Sequence, residues 1–351
     1  MWINYYKNNK LSVLVEVSSS CNAACPQCDR FKPNTLETYD FLKNRQWTLE
    51  EFVQAFPVSE LMHINELTFS GLYGEPTTCK DLAEMIQYVR TNAPHILIYM
   101  TTNGSTRTVD WWHKLGLIGG NNLRVQFDVD GINQEMHSTY RRNTSLEKIL
   151  NNMNAFSKVN PNHTDVFTVV YTYNEKHLKE IQELTKKNGA VHWDQIESGR
   201  FNQERGATYT YIDNRGIKHE LVQIDKEMHS WIPHIRRIRN FDLEKLSYSD
   251  ETHEIVCAAG NTGRLQIDYN GNVWPCCYLI TATDHKMPDT VKLQELRSSN
   301  KMSLFHHTLG EIINSDWYTT DLSESITSCN TANLACIKWC GRKKGSNIDR
   351  F

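Results

Sequence analysis

The chain has 351 residues, with 38 Lys and Arg against 41 Asp and Glu for a formal net charge of −3. That length allows two domains or one large α/β barrel with an appendage. The charge excludes a global positive field of the kind that gathers nucleic acid or anionic membrane, and no apolar run reaches the roughly 18 residues of a membrane span. The opening MWINYYKNNK lacks the apolar stretch of a signal peptide, so a cytoplasmic protein with no membrane partner is expected.

Six short β-branched or aromatic runs read as strands: LSVLVEV (11–17), ELTF (66–69), HILIYM (95–100), LRVQFDV (123–129), VFTVVYTY (166–173) and VHWDQI (191–196). Between them lie helical patterns. Thr48-Leu-Glu-Glu51 forms a capping box opening a helix through Phe56, and residues 82–90, 108–115, 145–156 and 178–189 carry apolar spacing of three and four. Alternation of this kind argues for a parallel sheet, doubly wound or curled into a partial barrel. It stops after Phe201. Residues 202–256 then read as an insertion, with a hairpin around Asp213-Asn-Arg-Gly216 and a basic stretch from His234 to Arg239. The stretch 264–276, RLQIDYNGNVWPC, reads as a further hairpin on an Asn270-Gly271 type I′ turn.

Ten cysteines carry the chemical signal, and they are clustered. Cys21, Cys25 and Cys28 share one loop after the first strand; Cys257, Cys276, Cys277, Cys329, Cys336 and Cys340 lie near the other end; Cys79 stands alone and reads as a buried filler. Clustered thiols in a reducing compartment point to metal rather than disulfides. The first group is C-x3-C-x2-C, one thiolate short of a closed zinc or iron–sulfur site, with no His or fourth Cys between residues 18 and 35. It suits a 4Fe–4S cluster whose open iron takes a small molecule. The alternative is zinc at both groups, making a non-catalytic binding module.

On these residues the chain resembles the radical S-adenosylmethionine (AdoMet) superfamily, whose C-x3-C-x2-C loop follows the first strand of a partial (β/α)6 TIM-like barrel. The resemblance implies that the open iron chelates AdoMet, and that reductive cleavage yields a 5′-deoxyadenosyl radical able to abstract hydrogen from an unactivated C–H bond. Ser70-Gly-Leu-Tyr-Gly74-Glu75-Pro76 looks like the family's Gly-Gly-Glu-Pro segment. Thr101-Thr102-Asn103-Gly104 resembles its Thr-Asn-Gly. Asp128-Val-Asp130-Gly131 with His137 and Tyr140-Arg141-Arg142 resembles its Ser-x-Asp-Gly…His-Asp…Arg pattern. Gly74, Glu75, Asn103, Asp128 and Arg141 are thereby implied to bind AdoMet. Two departures stand out: Gln27 replaces the aromatic residue expected before the third cysteine, and Asp128 replaces a serine.

The later cysteines resemble the family's twitch and SPASM extensions. With six thiols rather than seven and no C-x2-C pair, the resemblance implies a single auxiliary 4Fe–4S cluster on Cys257, Cys276 and two of Cys329, Cys336 and Cys340, the last two favoured. Cys277 and Asp268 are candidate proton or hydrogen donors or acceptors beside it. The expected organisation is a barrel over 1–201, an insertion over 202–256 and a cysteine-rich twitch-type domain over 257–351. The implied function is oxidation or rearrangement, of dehydrogenase, epimerase or peptide-modifying type, on a small molecule or peptide, with a flavodoxin or ferredoxin as electron donor.

Overall fold

In a computed structural model of the chain, the described residues are 1–198, 200–201, 206–224 and 249–344. The basic stretch from His234 to Arg239 lies outside them. All six expected strands form: β1 (Leu11–Val15), β2 (Ile64–Phe69), β3 (Leu97–Thr102), β4 (Leu123–Asp128), β5 (Thr164–Val170) and β6 (His192–Glu197). Helices Leu49–Ala55, Leu82–Asn92, Val109–Gly119, Leu146–Val159 and Leu178–Lys187 alternate with them. Thr108 Oγ1 accepts the Trp111 N–H and Ser145 Oγ the Lys148 N–H, each satisfying a first-turn donor that would otherwise be orphaned. A helix the apolar pattern does not announce, Gln134–Tyr140, is capped by Asn133, whose Oδ1 accepts the Met136 N–H at 2.9 Å.

Further strands are β7 (Thr208–Ile212), β8 (Lys218–Val222), β9 (His253–Ile255), β10 (Arg264–Ile267), β11 (Val273–Trp274) and β12 (Gly341–Lys343). The main sheet has eight strands in the order β11-β10-β1-β2-β3-β4-β5-β6, with β3 to β6 parallel. This is the α/β, partial-barrel architecture expected from the alternation, and β10 adds to β1 in parallel through Val13↔Leu265. The hairpin β7–β8 forms as expected around Asp213–Gly216.

The turn between β10 and β11 differs from the expectation. A type I′ turn on Asn270-Gly271 needs positive φ at both residues, but Asn270 has none and Gly271 alone carries it, at +84°. The Asp268 carboxylate explains the choice. Its Oδ1 accepts the N–H groups of Asn270 (2.8 Å) and Asn272 (3.0 Å), and the Gly271 N–H donates to Asp268 O at 2.9 Å, so the turn closes over Tyr269 and Asn270, one residue earlier than an Asn-Gly turn would.

The chain divides into two compact units, one of Met1–Val15, Glu50–Leu67 and Pro233–Phe351, the other of Glu16–Leu49 and Thr68–Ile232. In the first, Trp2 packs edge-on against Tyr318 with centroids 5.7 Å apart, and its Nε1 donates to Arg264 O. In the second, Trp112 meets Phe127 and Phe156 beneath the helices Val109–Gly119 and Leu146–Val159. Cys79 is the buried filler expected, its thiol donating to Trp47 O at 3.4 Å. Among the described residues no helix is long and apolar enough to cross a membrane.

Candidate active site

In the second unit the loops that follow β1, β2, β3 and β4 meet at one open cavity of about 530 Å³. It is lined by Cys21, Cys25 and Cys28, by the backbone from Gly71 to Pro76, and by Thr101 to Asn103, Asp128 and Arg141. Strand ends of a parallel barrel are where such loops converge. The three thiols and all five residues implied to bind AdoMet are thus brought together.

Glu75 has a different position from the one its motif suggests. Its Oε1 accepts Thr77 N–H, Thr77 Oγ1 and Thr102 Oγ1, and its Oε2 accepts Asn103 N–H at 2.8 Å. The carboxylate therefore ties the end of β2 to the end of β3, and what the cavity receives from this segment is chiefly backbone. Glu16 does the matching work on the other side: its Oε1 accepts the N–H groups of Tyr73 (2.7 Å) and Gly74 (2.8 Å). Gly74 is dictated by packing, since a Cβ there would sit 1.8 Å from Ser18 O. Arg30 is buried and donates to the carbonyls of Ser19 and Tyr73. Sequence reasoning did not single out Glu16 or Arg30, although a carboxylate inside LSVLVEV is a signal that something polar waits at the strand's end.

Arg141 is held by two carboxylates. Its Nη1 meets Asp128 at 2.9 Å and its Nε meets Asp130 at 2.6 Å, while Nη1 lies 4.0 Å from Cys25 Sγ. Asp130 is fully buried and its other oxygen accepts Val169 N–H at 2.7 Å. Burial pushes Asp128 up to about 7, with Arg141 opposing. His137 supports the clamp from below: Nδ1 accepts the Asp130 N–H and Nε2 reaches Thr144 Oγ1 at 3.0 Å. A backbone N–H can only donate, so the ring is neutral with its proton on Nε2. Burial, then Arg141, lowers it to about 3.

Gln27 is not available to a ligand. Its Oε1 accepts from Tyr171 Oη and Ser198 Oγ, and its Nε2 donates to Arg200 O. Asn103 is better placed, with Nδ2 3.9 Å from Cys21 Sγ.

Burial dominates at the three thiols, pushing Cys25 up to about 12 and raising Cys21 and Cys28. Such thiols do not ionise unaided; a bound metal group would supply the compensating charge. No group of three or more His, Cys, Asp or Glu among the described residues converges on a single-ion position; the thiols line a cavity instead. Tyr173, packed against the apolar cluster that holds these thiols, has its Oη buried without a hydrogen-bond partner. Soft donors, an open ligand position and polar groups beside it fit an iron–sulfur cluster with a small polar molecule at its free iron.

In the first unit Cys257, Cys276, Cys336 and Cys340 line a second cavity of about 330 Å³, otherwise walled by Ile255, Pro275, Tyr278, Leu279, Leu322, Ile326 and Ala335. Cys329 is buried elsewhere, its N–H given to Asp250. Cys277 does not lie on a strand: β11 ends at Trp274 and Cys277 opens the helix Cys277–Asp284, and burial first, then the Cys277 thiol, push Cys276 up. Asp268 is buried and gives its oxygens to its own turn and to Trp274 Nε1 at 2.8 Å.

Comparison with known proteins agrees with this geometry. The structure of anSMEcpe with bound AdoMet is 18% identical, covering 88% of this chain and 78% of that one, with a TM-score of 0.52. SuiB of Streptococcus suis, in its structure bound to precursor peptide SuiA, is 12% identical over 97% of this chain and 74% of that one, with a TM-score of 0.58. No curated protein matches the chain by sequence. Residues 15–185 match the model of the Radical SAM superfamily.

Proposed function

We propose that the chain is a radical AdoMet enzyme that holds a 4Fe–4S cluster on Cys21, Cys25 and Cys28 and acts on an unactivated C–H bond. The observation that carries this is the convergence of the three thiols with Asn103, Asp128 and Arg141 on one cavity. A cluster held there supplies the electron for reductive cleavage of AdoMet. Arg141 offers a cation to the AdoMet carboxylate, held in place by Asp128, Asp130 and His137. The backbone from Gly71 to Gly74, fixed by Glu16 and Arg30, would hold the ammonium.

Cys257, Cys276, Cys336 and Cys340 hold an auxiliary 4Fe–4S cluster in the twitch manner, with Asp268 shaping the turn that leads to Cys276 and Cys277 standing beside the ligand set. An auxiliary cluster suits oxidation or rearrangement rather than methylation. SuiB is printed as bound to a precursor peptide, which supports a peptide among the substrate classes beside a small molecule. The described cysteines form no disulfide, which supports a reducing, cytoplasmic location and a single-electron donor protein of the flavodoxin or ferredoxin class.

The test is anaerobic incubation with AdoMet, dithionite and candidate peptides or alcohols. Release of 5′-deoxyadenosine and methionine, with a product two mass units lighter, is expected. A fully loaded protein that leaves AdoMet intact overturns the reading, and a gain of about fourteen mass units overturns the reaction type.

A further inference from the structure

The hairpin β7–β8 forms a sheet of its own, and a two-stranded ribbon is at best marginally stable in water, so its order depends on what it packs against. It packs against the thiol loop. Among the described residues no helix or strand forms between Val15 and Leu49, so Cys21, Cys25 and Cys28 sit on a long irregular segment that other elements must hold in shape. Tyr211 and Leu221 of the hairpin share an apolar cluster with Ala24, Cys25, Phe31 and Leu36 of the loop. Main-chain bonds add a second line of contact: Ile212 N–H donates to Asn34 O at 3.0 Å, and Tyr209 Oη accepts the Asn34 N–H at 2.9 Å.

Two further bonds bracket Cys25. Pro26, just after it, gives its carbonyl to the Tyr209 hydroxyl at 3.2 Å. Ala24, just before it, donates its N–H to Arg142 O at 2.9 Å. Arg142 is in turn fixed by the hairpin, with Nη1 donating to Tyr211 Oη at 3.1 Å and Nη2 to Asp213 Oδ2 at 3.2 Å. Asp213 is a rigid acceptor: it is buried, its Oδ1 accepts the N–H groups of Arg215 and Ile217, and its Oδ2 meets His219 Nε2 at 2.9 Å. A guanidinium fork can serve Tyr211 and Asp213 at once, which an apolar chain cannot. Both ties beside Cys25 therefore trace to one hairpin. Cys28 is held through them, since its N–H donates to Cys25 O at 3.0 Å.

We propose that the hairpin Thr208–Val222 is a clamp that fixes the backbone on either side of Cys25, and that Tyr209 and Arg142 are positioning residues that set how firmly the cluster on Cys21, Cys25 and Cys28 is retained. This rests on the cluster reading above. A loop already held in its ligating shape loses little freedom when the cluster is inserted, and a cysteine whose backbone cannot swing away releases iron more slowly. Neither Tyr209 nor Arg142 lines the thiol cavity, so both act through the loop.

The test uses the full chain as wild type, Tyr209→Phe and Arg142→Met, reconstituted anaerobically with iron and sulfide. Iron is counted, the protein is challenged with an iron chelator, and reduced samples taken at intervals are read by electron paramagnetic resonance. The signal that AdoMet perturbs belongs to the first cluster and the other to the second. Tyr209→Phe keeps the ring and removes only the bonds to Pro26 and Asn34. The expected result is wild-type iron at the start, then loss of the first cluster about tenfold faster in each variant, the scale of one or two hydrogen bonds, with the second cluster's rate unchanged. Lys218→Ala, on the same hairpin but paired only with Glu220, should match the wild type. Equal rates at the first cluster in wild type and variants overturn the proposal. So does loss of both clusters accelerated by the same factor with a lower melting temperature, which makes the hairpin a general support of the fold. If the wild-type chain takes up no iron at these thiols, the cluster reading falls and the clamp with it, an outcome distinct from equal rates.

Discussion

The two thiol groups are built in opposite ways. The first places three cysteines on one loop and surrounds them with charge: Arg141 between Asp128 and Asp130, and Asn103 beside Cys21. The second gathers four cysteines from three separate stretches of chain and walls them with apolar side chains and the Tyr278 ring. A local, polar, three-thiol site leaves room for a ligand to be recognised; an assembled, apolar, four-thiol site is closed on itself. Burial raises the thiols in both, to about 12 at Cys25 and at Cys336 and Cys340. The difference therefore lies not in the donors but in what stands at the fourth position.

The largest expected effect breaks the first site outright. Replacing Cys21, Cys25 and Cys28 together by Ala should abolish AdoMet cleavage and lower iron from about eight to about four atoms per chain, with the second cluster's absorption retained. Replacing Cys257 and Cys276 should remove the other half of the iron while uncoupled AdoMet cleavage persists. Iron assay and 5′-deoxyadenosine release read both, and loss of all iron in either variant would show the two sites to be interdependent.

Next is Arg141→Met. It leaves Asp128 and Asp130 facing each other without their cation, and an uncompensated buried charge costs roughly 3–5 kcal/mol. A large fall in denaturation midpoint is expected, with AdoMet binding weakened by more than the stability loss explains. Equilibrium dialysis on the folded fraction separates the two.

His137 gives a pH dependence with a definite sign. The unfolded ring takes up a proton below its usual 6.5, whereas the folded ring, lowered to about 3, does not. The unfolded state then binds more protons, so this contribution to stability is present above 6.5 and is lost as the pH falls towards 3. Asp128, raised to about 7, acts in the opposite sense, losing stability as the pH rises from 3.8 to 7. The comparison with His137→Gln isolates the ring. The wild type should lose roughly 2 kcal/mol relative to the variant between pH 7 and pH 5, read from urea midpoints. A constant gap would mean that the ring is charged in the fold.

The contrast between the sites also decides what could be read from sequence. The first site is local, so its ligands and the strand-end motifs were visible as spacing, each on the loop after a strand. The supports of those motifs were not. Glu16 lies 57 residues from Tyr73 and Gln27 lies 144 from Tyr171, contacts that no local pattern announces. Glu75 shows the limit of a motif: the position was legible, but its bonds to Thr77, Thr102 and Asn103 depend on the register of β2 and β3. Asp268 was visible as a carboxylate in a turn, while its hold on Asn270 and Asn272, which accompanies a turn closed over Tyr269 and Asn270, was not.

The smallest expected effect sharpens the second site, where spacing alone left three cysteines for two places. Cys336 and Cys340 share the helix Leu334–Cys340 and line the cavity with Cys257 and Cys276. Cys329 belongs to a turn organised by Asp250, which accepts Cys329 N–H, Ser328 Oγ and Asn330 Nδ2 and is held below the usual carboxylate range by those bonds, that from Ser328 first. In that turn the backbone of Cys329 is engaged and its thiol packs as a small apolar group. Cys329→Ala should therefore cost about 1 kcal/mol and leave iron unchanged. Cys336→Ala should remove the second cluster's iron at a similar or greater cost in stability. Measuring iron and urea midpoint on both variants decides the ligand set, and loss of iron from Cys329→Ala with none from Cys336→Ala would reverse it.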